Sequence, residues 1–480
     1  MNVISTESET HPGVYISTYG CQMNVNDTER MNSLLEMMNY RAVETPDEAS
    51  LIIINSCSVR EKPVHKVHSE VGRYKKLKGK NPALKIGVAG CVAQQEKSKL
   101  LSDLPILDFV LGPDNIDELP EIVSAITPKI TFSAEIEPIA TDLMEMSLRA
   151  PGPNAISSKT IRPKMTRAKF DHQRPYQIQT LVRNPGVATF VNITKGCDNF
   201  CTFCIVPFTR GRLRSRSLTE LITDVKVLID RGVKEVTLLG QNVNSYESSC
   251  GANFADLMRT LCEDTDIARI RYTTSHPKDF DQQLVDISAK YRSKICDYIH
   301  LPVQAGSTEI LKRMNRGYSR DEYLAKIEMI KAGIPGVSLS TDVIVGFPGE
   351  TEDDFRQTFE LIQSVGYESI YAFKYSPRPF TKAARYHDQV LEADKSRRLT
   401  ELLEMHREQV FENAPLAEGK TYEVLVESFN SESSVVTGRT TQNKVAHFLG
   451  STEDIGKMID VRINKAYPLT LYGERVGSLL

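Results

Sequence analysis

Lys195-Gly196-Cys197-Asp198-Asn199-Phe200-Cys201-Thr202-Phe203-Cys204 is the stretch on which the reading of this 480-residue chain turns. It sets Cys197, Cys201 and Cys204 in a C-x3-C-x2-C turn directly after an apolar, strand-like run from Val187 to Ile193. Soft thiolate ligands at that pitch suit an iron-sulfur cluster, because the tight loop brings the sulfurs together. A four-iron cluster held by three cysteines keeps one iron open to a ligand that is not protein. A zinc knuckle with a distant fourth ligand, or plain buried thiols, is the blander alternative. The x3 spacing and the shielding Phe203 inside the loop favour the cluster.

Downstream of the loop, strand-like runs recur at Glu235 to Leu239, Arg269 to Thr274, Asp297 to Leu301, Val337 to Val345 and Glu368 to Tyr375, with helical patterns such as Leu218 to Asp230 between them. Six βα units are too few for a closed eight-stranded barrel. An open (β/α)6 sheet with its site at the carboxyl ends of the strands is expected. The residues that finish these strands, Gly240-Gln241-Asn242, Thr274-Ser275-His276 and Val345 to Glu350, are therefore candidates for the site. His276 reads as a hydrogen-bonding residue rather than a base. Arg210, Arg212, Arg214 and Arg216 alternate just past the loop and suit RNA phosphates, a carboxylate or solvent. Cys250, Cys262 and Cys296 form no spacing motif and read as ordinary thiols.

Upstream, three apolar runs each end in a cysteine: Val14 to Gly20 before Cys21, Leu51 to Ser56 before Cys57, and Lys85 to Gly90 before Cys91. Helical patterns follow, one with Asn26 or Asp27 as its cap before Met31, Leu34, Leu35 and Met38, another through Val64, Val67, Val71 and Tyr74. This βαβαβα order and the continuous apolarity of the strands predict a doubly wound parallel sheet with helices on both faces. One such cysteine alone would read as a structural thiol. Three at equivalent strand ends, 36 and 34 residues apart, make a second three-cysteine site plausible. Gly20 and Gly90 suit tight turns beside it.

Composition bounds the rest. At this length two or three domains are expected. A formal charge of −3 announces no nucleic-acid binder, so any such surface is local. The polar first dozen residues and the lack of a long apolar run lead us to expect a cytoplasmic protein, and nine cysteines there read as ligands and free thiols. Between Arg149 and Arg183 lie Arg149, Lys159, Arg162, Lys164, Arg167, Lys169, Arg174 and Arg183 against Asp171 alone, which suits a phosphate-contacting arm and a solvated linker equally. A helical stripe of Leu399, Leu402, Leu403, His406 and Val410 ends near Asn413. Beyond it the period becomes two, in five short runs that predict a small antiparallel β-barrel. Arg439, Asn443, Lys444 and Arg462 are its candidate phosphate contacts.

The Cys197–Cys204 loop resembles the signature of radical S-adenosylmethionine (SAM) enzymes. Together with Tyr19-Gly20-Cys21-Gln22-Met23-Asn24, Cys57-Ser58-Val59-Arg60-Glu61 and Gly90-Cys91-Val92-Ala93-Gln94-Gln95, the chain resembles the methylthiotransferase family of these enzymes from about Val14 to its C-terminus. The Cys57 segment is similar to the MiaB-type branch, which methylthiolates an isopentenylated adenosine beside the tRNA anticodon. The sister branches act on threonylcarbamoyladenosine or on a ribosomal protein. The resemblance implies two [4Fe-4S] clusters: Cys197, Cys201 and Cys204 bind the one that carries SAM and generates a 5′-deoxyadenosyl radical, and Cys21, Cys57 and Cys91 bind an auxiliary one that presents sulfur. It further implies that Gln241 and Asn242 hold the methionine end of SAM, Ser275 its ribose, and Phe203 lies near its adenine. Implied partners are tRNA, a low-potential electron donor such as flavodoxin or ferredoxin, and an iron-sulfur carrier protein. The expected domains are a methylthiotransferase domain at 12–130, a basic linker at 131–182, a radical SAM partial barrel at 183–413 and a TRAM domain, known for binding tRNA, at 414–480. A two-cluster electron-transfer protein and a non-catalytic RNA-binding protein are the readings from other classes.

Overall fold

The computed structural model describes residues 11–58, 61–127, 164–170, 176, 178, 182 and 185–477. Of the connector cations, Arg149, Lys159, Arg162, Arg174 and Arg183 lie outside these residues, as do Val59 and Arg60 and the side chain of Val64. Two compact units emerge: one takes the chain up to Tyr19, Thr28–Ser56 and Val64–Lys169, the other Gly20–Asp27, Cys57–Pro63 and everything from Phe170 on.

The first unit is built on a six-stranded parallel sheet. Along this part of the chain the elements run β1 (Gly13–Tyr19), α1 (Gln22–Glu36), β2 (Arg41–Ala42), β3 (Leu51–Ser56), α2 (Glu61–Lys80), β4 (Lys85–Gly90), α3 (Cys91–Glu96), α4 (Lys99–Asp103), β5 (Phe109–Leu111), α5 (Leu119–Ile126) and β6 (Met165–Arg167), with α1 up to Asp27 and α2 up to Pro63 counted in the second unit. The sheet order is β2-β1-β3-β4-β5-β6. Alternation explains why the strands are apolar throughout. Leu51 and Ile53 enter one core with Met31, Leu35 and Ile122, while Ile52 and Ile54 enter the other with Val67, Val71 and Tyr74.

Two expectations are corrected here. Helix α1 starts at Gln22, so Asn26 and Asp27 sit inside it rather than capping it. Both are buried and their side chains serve distant partners: Asn26 Nδ2 donates to the Phe190 carbonyl at 3.3 Å, and Asp27 pairs with Arg210 at 2.7 Å. The stretch expected as a linker at 131–182 also holds a strand, because β6 pairs with β5 and completes the sheet. Two of its cations are thereby tied down: Arg167 pairs with Glu118 at 3.0 Å, and Lys164 donates to the Pro105 carbonyl at 2.7 Å.

The second unit continues with β7 (Ala188–Asn192), β8 (Thr194–Lys195), α6 (Val206–Thr209), β9 (Arg214–Ser215), α7 (Leu218–Asp230), β10 (Glu235–Leu239), α8 (Phe254–Asp264), β11 (Arg269–Tyr272), α9 (Gln282–Lys290), β12 (Tyr298–His300), α10 (Thr308–Arg313), α11 (Arg320–Gly333), β13 (Ser338–Val345), α12 (Glu352–Val365), β14 (Ser369–Lys374) and α13 (Glu392–Asn413). The six main strands are parallel and form two hydrogen-bonded triples, β7-β10-β11 and β12-β13-β14. A bridge from Ile270 to Ile295, just ahead of β12, links the triples into the open (β/α)6 arrangement. On α13 the apolar stripe is narrower than its sequence suggests. Leu402 and His406 are buried, but Leu403 is exposed, one residue around the helix from the packed face.

Five strands, β15 (Thr421–Asn430), β16 (Val435–Thr440), β17 (Val445–Leu449), β18 (Met458–Ala466) and β19 (Thr470–Arg475), close the C-terminal barrel in the order β15-β16-β17-β19-β18. It is mixed rather than purely antiparallel, since β17 and β19 run parallel. Two buried arginines of β11 fasten it. Arg269 donates to the carbonyls of Arg439 and Glu423, and Arg271 holds Glu235 at 2.7 Å while donating to the carbonyls of Thr440 and Thr441. Lys444 is spent on the same seam, 2.9 Å from Glu368, and Arg439 faces Glu427 and Asn443; Arg462 remains exposed. Among the described residues no helix is long and apolar enough to cross a membrane.

Arg271→Met is expected to cost about 3–5 kcal/mol, because it strands the buried Glu235 carboxylate and two carbonyls. Urea unfolding of the purified variant against the parent checks this; equal midpoints would contradict it.

Candidate active site

The three-cysteine loop leaves β7 through the short β8, which pairs with β9 in an antiparallel ribbon. Gly196 turns the chain at φ +77°. A Cβ there would lie 2.1 Å from the Arg212 carbonyl oxygen, so only glycine fits. The loop is clamped by its main chain from several sides. Cys197 N–H donates to the Gly211 carbonyl at 3.2 Å, Thr202 N–H to Met314 at 3.0 Å, and Asn315 Nδ2 to the carbonyls of Asn199 and Phe200. Asp198 accepts from Arg212 at 2.6 Å and from Leu213 N–H.

Burial pushes the Cys197 thiol up to about 11 and the Cys204 thiol up to about 12, and repulsion from neighbouring thiolates adds to both. Those two thiols thus keep their protons until a cation displaces them. Among the described residues no three His, Cys, Asp or Glu side chains converge as a single-ion site. A cluster is bound through separate irons, one thiolate to each, which asks for a wider spread than one ion does.

Arg316 is the residue that sequence reading missed. Its Nη1 donates to Cys201 Sγ at 3.3 Å, Nη2 to the Pro302 carbonyl and Nε to Tyr318 Oη, and it is buried. It sits in an irregular turn after α10, where neither helical nor strand periodicity marks it.

The residues implied for SAM meet this loop in different ways. Gln241 Oε1 accepts from Gly196 N–H at 2.5 Å, which ties the end of β10 to the loop. Asn242 is buried and donates to Asp279 at 2.7 Å. Phe203 is half-buried against the barrel core. Gln241 Nε2, Asn242 Oδ1, Ser275 Oγ and His276 Nε2 are buried without a protein partner. Unpaired polar atoms at strand ends are what a polar ligand would satisfy. Three of the four arginines in the run form ion pairs: Arg210 with Asp27, Arg212 with Asp198, and Arg216 with Asp224 at 2.6 Å. Its alternation comes from β9 and the turns around it, not from an open phosphate track.

At the ends of β1, β3 and β4 the register aligns Tyr19, Ser56 and Gly90. Cys57 and Cys91 follow at the next residue and Cys21 after Gly20. Gly20 has φ +148°, and a Cβ on it would lie 2.6 Å from Cβ of Cys57, which explains why the turn before Cys21 is glycine. Cys57 and Cys91 are buried and Cys21 is exposed. Of the unassigned thiols, Cys262 and Cys296 are buried and Cys250 is exposed.

Burial, with Arg316 and Lys278 nearby, lowers His276 to about 2, while its Nδ1 accepts from Lys278 N–H at 3.2 Å. A depressed histidine contributes stability that is present above pH 6.5 and lost as pH falls toward 2, because only the unfolded chain takes up the proton. His276→Asn, which keeps an acceptor for that N–H, is expected to remove about 1.4 kcal/mol per pH unit from the acid slope of stability. Urea unfolding between pH 7 and pH 5 checks it; identical slopes would contradict it.

Comparison with known proteins places these features in a family. The Radical SAM superfamily matches residues 191–362, an uncharacterized protein family, UPF0004, matches 13–112, and the TRAM domain matches 415–476. The structure of the radical SAM methyltransferase TsrM from Kitasatospora setae shares the fold, with a TM-score of 0.51 at 14% identity over 78% of this chain and 75% of that one. The tRNA-2-methylthio-N(6)-dimethylallyladenosine synthase of Bdellovibrio bacteriovorus is 55% identical over 97% of this chain and 95% of its own. Proteins of the same name from Carboxydothermus hydrogenoformans and Syntrophus aciditrophicus are 42% and 41% identical, each over 96% of this chain and over 98% and 94% of their own. The chain is therefore a member of the tRNA-2-methylthio-N(6)-dimethylallyladenosine synthase family of radical SAM enzymes.

Proposed function

We propose that this enzyme methylthiolates C2 of the adenine in N6-isopentenyladenosine next to the tRNA anticodon. The relatives' shared name supplies the substrate class. The observation that carries the chemistry is the pair of three-cysteine sets, each one protein ligand short of closing a four-iron cluster.

In this reading Cys197, Cys201 and Cys204 hold a [4Fe-4S] cluster with SAM, which supplies one-electron cleavage and hydrogen abstraction. Cys21, Cys57 and Cys91 hold the auxiliary cluster, which supplies the sulfur. The surrounding residues position and shield. Gln241 steadies the Gly196 turn and keeps Nε2 for ligand; Asn242 and Ser275 keep one acceptor and one hydroxyl for it. Arg316 directs a fixed positive charge at Cys201. Phe203 covers the loop on the core side. His276, neutral at physiological pH, holds the turn at Lys278 and moves no proton.

Residues 12–130 would present sulfur, 183–413 would cleave SAM and 414–480 would engage tRNA, in the cytoplasm, with a low-potential protein such as flavodoxin or ferredoxin as electron source and a carrier protein delivering clusters. The phosphate contacts of the C-terminal barrel fall to Arg462 more than to Arg439 or Lys444, which are engaged elsewhere.

Two cysteine variants separate the two jobs. Cys201→Ala is expected to abolish SAM cleavage, whereas Cys57→Ala retains cleavage and loses thiolation of the RNA. Chromatographic measurement of 5′-deoxyadenosine alongside the methylthiolated nucleoside checks both, and methylthiolation surviving in Cys57→Ala would refute the sulfur-presenting role.

A further inference from the structure

We infer that Phe208 and Phe380 form a stacking platform for unpaired bases of the substrate RNA at the rim of the three-cysteine loop. This rests on the tRNA reading above and adds to it the side chains that grip the anticodon loop.

Phenylalanine is ordinarily buried, and isolated exposed ones mean little. These two are exposed and adjacent: Phe208 is 45% and Phe380 59% accessible, with ring centroids 5.8 Å apart and planes inclined at 36°. Both belong to the cysteine loop's surroundings. Phe208 lies in α6, four residues past Cys204, and the segment after Phe380 is bonded to the loop itself, Ala383 N–H donating to the Thr202 carbonyl at 2.8 Å. Thr202 stands between Cys201 and Cys204.

The backbone under Phe380 is the second observation. The Arg378 carbonyl accepts from Thr381 N–H at 3.3 Å and from Thr381 Oγ1 at 2.7 Å, closing a turn with Pro379 at its second position and Phe380 at its third. Phe380 has φ +69°. That corner favours glycine, and a bulky aromatic held in left-handed backbone is strained. The turn therefore keeps a ring in solvent at a position where folding alone would select a residue without a side chain.

The flanking charge decides the partner. Lys382 and Arg385 are exposed on the same segment. Aromatic rings interleaved with cations grip single-stranded nucleic acid by stacking bases and contacting phosphates. The third exposed ring nearby, Phe200, is already covered by the Arg212 guanidinium at 5.0 Å. An apolar face of a protein electron donor is the competing occupant, and the experiment tells the two apart.

Fluorescence anisotropy with the cluster-loaded full chain and an anticodon stem-loop oligonucleotide carrying isopentenyladenosine is the test. Phe380→Ala and Phe208→Ala are each expected to raise the dissociation constant roughly 5- to 100-fold, and Phe380→Trp to keep it. Because no phosphate contact is removed, the slope of log affinity against log salt stays unchanged in Phe380→Ala, whereas Lys382→Ala and Arg385→Ala lower it. Phe380→Gly separates function from folding: relieving the strained corner is expected to hold or raise the thermal midpoint while affinity still falls. Affinity for the oligonucleotide unchanged in the Phe208→Ala/Phe380→Ala double variant would overturn the inference. So would slower reduction by flavodoxin with RNA binding intact, which would assign the rings to a protein partner. A parent enzyme that binds no such RNA would instead count against the tRNA reading itself.

Discussion

Three cysteines in one eight-residue turn crowd their sulfurs together, burial holds the Cys197 and Cys204 thiols against ionisation, and the catalytic unit is arranged around that difficulty. The loop cannot hold itself open. Gly196 supplies a backbone conformation that no other residue accepts without collision, and main-chain bonds from the α10–α11 turn, the Gly211 strand approach and the Ala383 segment lock it from separate sides. Arg316 then supplies fixed positive charge where negative charge accumulates, with its other nitrogens satisfied so that it is not free to swing away. Burial raises the Cys197 and Cys204 thiols, and the Arg316 guanidinium works against it by favouring their ionised, ligand-ready form.

Much of this was legible in the residues because it follows from period and spacing. The strands at Glu235–Leu239 and Ser338–Val345, the helix Leu218–Asp230 and the five C-terminal strands all carry strong local patterns, and tertiary structure had no reason to override them. Where local reading failed, long-range bonds had taken over. Asn26 and Asp27 resemble caps but are buried hydrogen-bonding residues inside α1. Leu403 fits the stripe of α13 but misses its packed face. Strand β6 is three residues long and pairs across a separation that no local pattern reveals. The parallel pairing of β17 with β19 is likewise a matter of topology, invisible to alternation.

The same lesson applies to charge. Basic residues near a nucleic-acid enzyme invite assignment to phosphate, yet Arg210, Arg212 and Arg216 neutralise aspartates, and Arg269, Arg271 and Lys444 build the seam to the C-terminal barrel. A buried arginine whose donors meet carboxylates and carbonyls is architecture. Arg462 on the barrel and Lys382 and Arg385 beside the cysteine loop are exposed cations that no such seam engages, which suits a local RNA surface on a chain whose overall charge is slightly negative.

This radical SAM family member places a methylthio group on isopentenyladenosine in tRNA. Mass spectrometry of nucleosides digested from total tRNA of cells with and without this gene tests it most directly. Loss of 2-methylthio-N6-isopentenyladenosine with accumulation of N6-isopentenyladenosine is the predicted result, and an unchanged nucleoside profile would contradict it.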